Sequence, residues 1–207
     1  SLGIFIDKNL SWKKHITETS KKIASAIGAL KRIRKFICQK TAQKIYAALI
    51  EPQFDYCSTV WDGMSKQLSD KLQKLQNRAA RVITRSTYDT SSTVLLDKLG
   101  WEQLQIRRKK QKAVTVFKAI HKLAPVYLQN LFTPRSTEYF IRDHENKLYL
   151  AKPRTEYLKR SFSYSGALLW NDLPKEMRNL NTLSSFKKEI NKYTFKSDSH
   201  TAIMKNS

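Results

Sequence analysis

The sequence predicts a mainly α-helical fold, and three observations support this prediction. Apolar residues recur every three or four positions in several long windows, which is the spacing of one face of an α-helix. Glycine and proline are scarce, with five of each among 207 residues, which disfavours an all-β fold rich in turns. Strand character is confined to two short segments, one at the N-terminus and one near residues 139–150.

The N-terminal part of the chain combines a short strand with a long helix. Apolar residues alternate over residues 2–6, which predicts a strand. Ser11 is a suitable N-cap for a helix that begins at Trp12. The sustained apolar stripe of this helix predicts that one face packs against a core. That stripe comprises Ile16, Ile23, Ile27, Leu30, Ile33 and Ile37.

The most apolar window runs from Thr41 to Trp61 and is predicted to form a buried central helix. Pro52 lacks a backbone donor, so we expect the helix to kink there. The amphipathic helices on either side need an apolar surface, and this window is the best candidate. The side chains expected to be buried in it are Ile45, Leu49, Phe54 and Trp61.

Further helices are predicted over most of the remaining chain. One carries an apolar stripe from Leu68 to Ile83, and a short helix after it ends at Gly100, as left-handed C-terminal glycines do. The other predicted elements are a helix over 101–123, a short helix after Pro125, a hairpin of 139–141 with 148–150, a helix opened by Ser163 and a last helix opened by Thr182 or Ser184.

The chain carries a large excess of positive charge. Lysine and arginine number 39 against 17 aspartates and glutamates, which gives a formal net charge of +22. Such an excess points to a polyanionic partner, with nucleic acid as the first candidate and an anionic membrane surface as the second. The membrane hypothesis is the weaker one, because the basic helices lack exposed Trp and Phe opposite their charges.

The sequence contains no pattern typical of a catalytic or metal site. A polymerase needs clustered carboxylates for its two metal ions, and no Asp-Asp pair is present; Asp55 stands alone in an apolar stretch. Phosphate-binding glycine loops, HExxH and nucleophile elbows are missing as well. Cys38 and Cys57 have neither a zinc spacing nor a disulfide framework, so we expect two buried thiols in a reducing compartment. With no apolar run of membrane-spanning length and no signal peptide, we expect an intracellular protein, nuclear or cytoplasmic, without a cofactor of its own.

Five strings follow one another along nearly the whole chain. They are LGIFIDKNLSWKKHI, IYAALIEPQFDYCSTVW, LDKLGWEQLQIRR, FKAIHKLAPVYLQNLF and SFSYSGALLWNDLPKEMRNLNTLSSFKKEI. In this order they resemble the segment that follows the catalytic core in the reverse transcriptases of Jockey-like non-LTR retrotransposons. The resemblance implies that Leu2 and Gly3 belong to the primer-grip hairpin and that the thumb follows. It also implies that the catalytic carboxylates lie upstream of this chain, in a parent enzyme that would use Mg.

The resemblance implies that the helical bundle is thumb-like, and the residue patterns add a short N-terminal strand remnant and a small β-hairpin in a C-terminal module. We assign residues 1–15 to the end of the palm and 16–99 to the thumb-like bundle. Residues 100–195 then form the C-terminal helical and hairpin module, and 196–207 a disordered tail. The chain begins without Met and inside a pattern, which we interpret as a piece of something longer.

Two hypotheses of function remain open. In the first, the chain is a fragment of an RNA-directed DNA polymerase, inactive alone, that binds an RNA–DNA or RNA template–primer duplex and contacts the upstream fingers and palm. In the second, it is a stand-alone basic module, domesticated or not, that binds RNA or DNA without polymerase activity. We expect no catalytic residue, no metal ligand and no membrane partner. The residues expected to bind nucleic acid are Lys21, Lys22, Lys31, Arg32, Arg34, Lys35, Arg78, Arg81, Arg85, Arg107, Arg108, Lys109 and Lys110.

Overall fold

A computed structural model of the chain describes residues 3–135 and 146–195, and these residues are mainly helical, as predicted. The helices are α1 (Lys13–Ile33), α2 (Gln39–Ile45), α3 (Glu51–Asp55), α4 (Ser58–Trp61), α5 (Lys66–Thr84), α6 (Ser92–Leu99), α7 (Leu104–Ile120), α8 (Val126–Gln129), α9 (Glu156–Arg160), α10 (Phe162–Asp172), α11 (Lys175–Arg178) and α12 (Leu183–Lys192). A 3-10 turn (Arg34–Phe36) follows α1, and a π-helical turn (Tyr46–Ile50) joins α2 to α3. Within the described ranges, no helix is both long and apolar enough to cross a membrane.

The two longest helices, α1 and α5, pack against each other and organise the first hydrophobic core. Ile23, Ile27 and Leu30 of α1 are buried at spacings of three and four, which confirms the predicted stripe up to Leu30. Ile33 is 41% exposed and Ile37 lies beyond the end of α1, so the stripe ends earlier than predicted. Burial of each such side chain contributes roughly 1.5–3 kcal/mol to folding. Leu72 and Ile83 of α5 face the same core. The core therefore fixes the two helices side by side.

A second core lies between α7, α10 and α12. Its centre is aromatic: the ring centroids of Phe117 and Phe186 are 4.5 Å apart, and Trp170 lies 5.7 Å from Phe186. Helix α7 also supplies the buried Leu104 to the first core, so it links the two cores. The module boundary expected near residue 99 remains a prediction.

The central helix differs from its prediction in register. Phe54 and Trp61 are buried as expected, at 2% and 0% exposure, but Leu49 is 62% exposed and Ile45 is half-buried. The cause is the π-helical turn before Pro52, which inserts one extra residue and rotates Leu49 away from the core. A proline ring clashes with the carbonyl four residues earlier, and a π turn relieves that clash. The apolar period of the sequence carries no sign of this extra residue.

The N-terminal strand is not found. Residues 3–7 form no strand, because none of the described residues offers them a ladder of backbone hydrogen bonds. The Asp7 carboxylate instead accepts bonds from the backbone N–H groups of Asn9, Ser11 and Trp12 and thereby organises the entry to α1. Trp12 has a φ of 61°, so α1 begins at Lys13.

The predicted hairpin is not confirmed. The run 139–141 and its turn lie outside the described residues. The run 148–150 contributes one antiparallel bridge, Leu148 with Pro134, flanked by a bond from the Tyr149 N–H to the Thr133 carbonyl.

The predictions for Gly100 and Cys38 have opposite outcomes. Gly100 ends α6 with a φ of 66°, as predicted, whereas Cys38 is exposed, because it lies in the turn that leads into α2.

Candidate nucleic-acid interface

The adjacent C-terminal ends of α1 and α5 form a groove of about 450 Å³, which we call the basic groove. Six of its eight lining residues are cationic, and none of these described residues is acidic. The formal charge of the lining is therefore +6. A concave surface of one sign of charge focuses the electrostatic field on its opening. The lining residues are Lys31, Arg34, Lys35, Arg78, Arg81, Val82, Arg85 and Ser86.

Helix periodicity places the α5 cations on one face of the helix, and the last three of them line this groove. Positions three and four apart share one helix face, and the basic residues of α5 keep that spacing from its second turn to its end. The stripe is about 21 Å long at 1.5 Å per residue. Its opposite face buries Leu72, Ala79 and Ile83 in the first core, so the cations must face outward. The stripe comprises Lys71, Lys74, Arg78, Arg81 and Arg85.

Two arginines fasten the helix ends that form the groove. The Arg34 guanidinium donates from Nε and Nη2 to the Ile83 carbonyl, at 2.9 and 2.7 Å, and from Nη1 to the Ile37 carbonyl at 2.6 Å. In return, Arg85 donates from Nη2 to the Arg34 carbonyl at 2.8 Å. Cations are favourable at helix C-termini, where the last carbonyls have no partner within the helix. Arg34 is thus buried and structural, although its charge still contributes to the groove wall.

Arg81 has a less complete set of partners. Its Nη2 lies 3.4 Å from the Thr90 carbonyl, and its Nε is buried without a hydrogen-bond partner among the described residues. The guanidinium carbon lies 5.2 Å from the centroid of the Tyr88 ring. The Arg81 guanidinium therefore has no acidic partner among these contacts, and it lines the groove with its charge uncompensated there.

The basic run of α7 is occupied by the chain's own acids. Arg107 forms ion pairs with Glu51 and Asp55, both at 2.6 Å. Arg108 donates from Nε to an Asp62 oxygen at 3.0 Å. Lys110 is buried and pairs with Glu102, and Lys112 lies 2.5 Å from Asp62.

These pairs leave Arg107, Arg108 and Lys110 poorly placed for phosphate. Releasing any of them would leave a carboxylate without its cation in a partly desolvated site, which is costly. Lys109, the remaining member of the predicted run, is half-buried with its Nζ 5.8 Å from the centroid of the Phe195 ring. The structural signal that sequence reasoning missed is tertiary, because the partner acids lie 8 to 56 positions away along the chain.

The Asp62 carboxylate has the most perturbed surroundings among these acids. Burial alone would raise its pKa, but the charges and hydrogen bonds of Lys112 and Arg108 outweigh burial, and the pKa lies below its ordinary value. The carboxylate is therefore ionised at neutral pH. This cluster is structural rather than catalytic, since both oxygens are occupied by cations. Elsewhere in the described ranges, no three His, Cys, Asp or Glu side chains form a group that could hold a metal ion.

The other predicted contact residues lie outside the groove. Lys21 pairs with Glu18 at 2.8 Å, and Lys22 is exposed nearer the start of α1. Arg32 is exposed but follows Lys31 by about 100° around the helix, which turns it away from α5. Of the two primer-grip residues, Leu2 lies outside the described residues, and Gly3 has a φ of 77° with nothing within 4 Å of a Cβ placed on it.

Comparisons with known proteins relate part of this chain to transposon polymerases. No protein-family model and no solved structure matches it. Over 133 residues it is 24% identical to the "Probable RNA-directed DNA polymerase from transposon X-element" of Drosophila melanogaster, a match to 63% of this chain. Over 97 residues, 45% of the chain, it is 27% identical to the "Probable RNA-directed DNA polymerase from transposon BS" of the same species. The matched segments cover only 13% and 11% of these two relatives.

Proposed function

We propose that this chain is the thumb and C-terminal part of the reverse transcriptase of a Jockey-like non-LTR retrotransposon. In this proposal it binds the backbone of an RNA–DNA template–primer duplex through the basic groove and the stripe on α5. The parent enzyme's fingers and palm supply the catalytic carboxylates and their Mg ions, and this chain holds the duplex by its backbone. The similarity to two transposon RNA-directed DNA polymerases supports this assignment.

The observation that carries the proposal is the convergence of two helix ends into one surface of a single charge. Lys31 and Lys35 come from α1 and its 3-10 turn, and Arg78 comes from α5. The cations along α5 span about 21 Å, a length over which one strand of a duplex presents roughly six phosphates at 3.4 Å each. Such contacts position a duplex without reading its sequence. Binding is therefore expected to be sensitive to salt and nearly independent of sequence.

The test is a salt titration of affinity for an RNA–DNA hybrid. The variant is Lys31→Ala, Lys35→Ala and Arg78→Ala combined, three exposed side chains whose loss leaves the buried tie of Arg34 intact. Each phosphate contact contributes a slope of about −0.9 in log affinity against log salt for duplex DNA. Losing three contacts should therefore flatten the slope by roughly 2.7 and weaken all hybrid sequences alike.

A matched control removes the same amount of charge elsewhere. Lys13, Lys152 and Lys188 are exposed and do not line the groove. Their combined change to Ala lowers the net charge by the same three units and should change the slope far less. Equal slopes for the two variants would show that binding follows net charge alone, and the groove would then not be the interface.

A further inference from the structure

Two aromatic side chains beside the basic groove are almost fully exposed. Phe36 ends the 3-10 turn after α1 and is 76% exposed, and Tyr88 lies in the loop after α5 and is 86% exposed. The aromatic side chains of the two cores, such as Phe117 and Trp170, are 0% and 1% exposed. Leaving large rings in water forgoes the free energy that their burial would contribute. The stability of the folded chain therefore does not explain why either ring is exposed at this position.

Both rings are held by cations that line the groove. The Nζ atom of Lys35 lies 4.8 Å from the centroid of Phe36, and the guanidinium carbon of Arg81 lies 5.2 Å from that of Tyr88. These distances are within the range of cation–π attraction. Lys35 and Arg81 are both lining residues of the groove. Each helix end thus presents an aromatic face next to a phosphate-binding charge.

Alternation of cations with exposed aromatic rings is the arrangement that binds single-stranded nucleic acid. The cations hold phosphates, and the rings stack against bases. A base within a duplex already has neighbours on both faces, whereas an unpaired base can be splayed out onto a ring. The two rings can therefore stack on bases of a bound nucleic acid only where that nucleic acid is unpaired.

We propose that the basic groove also binds single-stranded nucleic acid, with unpaired bases stacked on Phe36 and Tyr88. This inference rests on the groove being the nucleic-acid interface proposed above, and it adds the class of substrate that the interface takes at its aromatic edge. The lining carries six cations and no acid among the described residues, which favours a nucleic acid over a protein, and the exposed rings beside it favour a single strand. A protein partner for the two rings is an outcome that the test distinguishes.

The test compares oligonucleotides with and without bases. The probes are a dT oligomer of about 12 nucleotides, an abasic oligomer of equal length and charge, and a blunt RNA–DNA hybrid, all at one salt concentration. The variants are Phe36→Ala with Tyr88→Ala, and a control, Tyr127→Ala, whose side chain is 68% exposed on α8. Loss of stacking weakens binding by about 5- to 160-fold per base in such proteins.

The paired variant should bind the dT oligomer about 25- to 50-fold more weakly, which is near the lower limit of about 5-fold for each of the two rings because both are exposed. Its affinity for the abasic oligomer and the blunt hybrid should be unchanged, and Phe36→Trp should retain the dT affinity. An equal loss on the dT and abasic oligomers would overturn the proposal, since the rings would then act only by placing their cations. No loss on any probe would also overturn it and leave the rings available to a protein.

The failures of the two proposals are distinguishable. If the ring variant binds all probes normally but the Lys31, Lys35 and Arg78 variant loses hybrid binding, only the stacking proposal fails. If that charge variant binds the hybrid and the dT oligomer with the same affinities as the unchanged chain, both the stacking proposal and the proposed function fail.

Discussion

Replacing Asp62 by Asn should be the most destabilising single conservative change on the surface between the two cores. Asp62 follows α4, and its carboxylate accepts from Arg108 at 3.0 Å and pairs with Lys112 at 2.5 Å. The side chains of Arg108 and Lys112 are 4% and 9% exposed, against 16% for Asp62. The substitution keeps the shape of the side chain and removes its charge, so two buried cations lose their counterion.

The expected cost follows from that burial. Removing one partner of a buried ion pair lowers the free energy of unfolding by roughly 3–5 kcal/mol, because the remaining charge stays desolvated. We expect about 3 kcal/mol, at the lower end, for two reasons. Lys112 keeps a bond to the Ser165 hydroxyl at 3.2 Å, and Arg108 keeps one to the Ser69 hydroxyl at 2.7 Å. For a chain of this length, that corresponds to a fall in Tm of roughly 6–12 °C.

Urea unfolding followed by circular dichroism measures this change. The control is Asp70→Asn on α5, an exposed carboxylate whose loss should change the free energy of unfolding by less than about 0.5 kcal/mol. Adding Lys112→Met to Asp62→Asn should recover part of the loss, since it removes one of the uncompensated cations. A cost below about 1 kcal/mol for Asp62→Asn would show that the cluster is solvated and that our account of α7 is wrong.

Three further predictions concern stability. The pKa of the Asp62 carboxyl is depressed in the folded chain, so its stabilisation is present above about pH 4 and is lost as the pH falls through the folded value. The difference in urea midpoint between the unchanged chain and Asp62→Asn should therefore be constant from pH 7 to about pH 5 and narrow below about pH 4. A difference that stays constant below about pH 4 would contradict this. Phe54→Ala should lower the free energy of unfolding by about 3–5 kcal/mol, and Leu49→Ser by less than about 0.5 kcal/mol, because only Phe54 is buried. Equal losses in thermal melts would show that Leu49 is buried in the core. Arg34→Ala should lower the free energy of unfolding by about 2–3 kcal/mol, because it leaves the carbonyls at two helix ends without their charged donor. Lys31→Ala should change it little. An Arg34 variant as stable as the unchanged chain in the same melts would show that these hydrogen bonds do not stabilise the fold.

Local sequence signals correctly predicted features that depend on one helix alone, such as its buried face and its end. The spacing of Ile23, Ile27 and Leu30 predicted the buried face of α1, and Gly100 predicted the end of α6. The stripe that ends at Arg85 could be read from α5 alone. Its meeting with the end of α1 depends on how the two helices pack, and the sequence contains no local sign of that contact.

The fold adds two things that the sequence pattern does not contain. A π-helical turn before Pro52 changed the register of the central helix, and a period of 3.6 residues cannot anticipate an inserted residue. The run from Arg107 has the composition of a nucleic-acid patch and its contact with nucleic acid stays a prediction, but Arg107, Arg108 and Lys110 are paired with acids that lie 8 to 56 positions away along the chain. Charge composition predicts a partner for the whole chain, but only the fold shows which cations remain available to it.

Protection of lysines from chemical acetylation by a bound RNA–DNA hybrid would show which face of the chain the duplex covers. Mass spectrometry then reports the modification of every lysine in the same sample, without any substitution. We expect the hybrid to protect the exposed lysines of the groove and the stripe, whereas exposed lysines elsewhere should react as before. The first set is Lys31, Lys35, Lys71 and Lys74, and the second is Lys13, Lys152 and Lys188. Unchanged reactivity of the first set while the hybrid protects the second would contradict the account, because the duplex would then lie on another face of the chain.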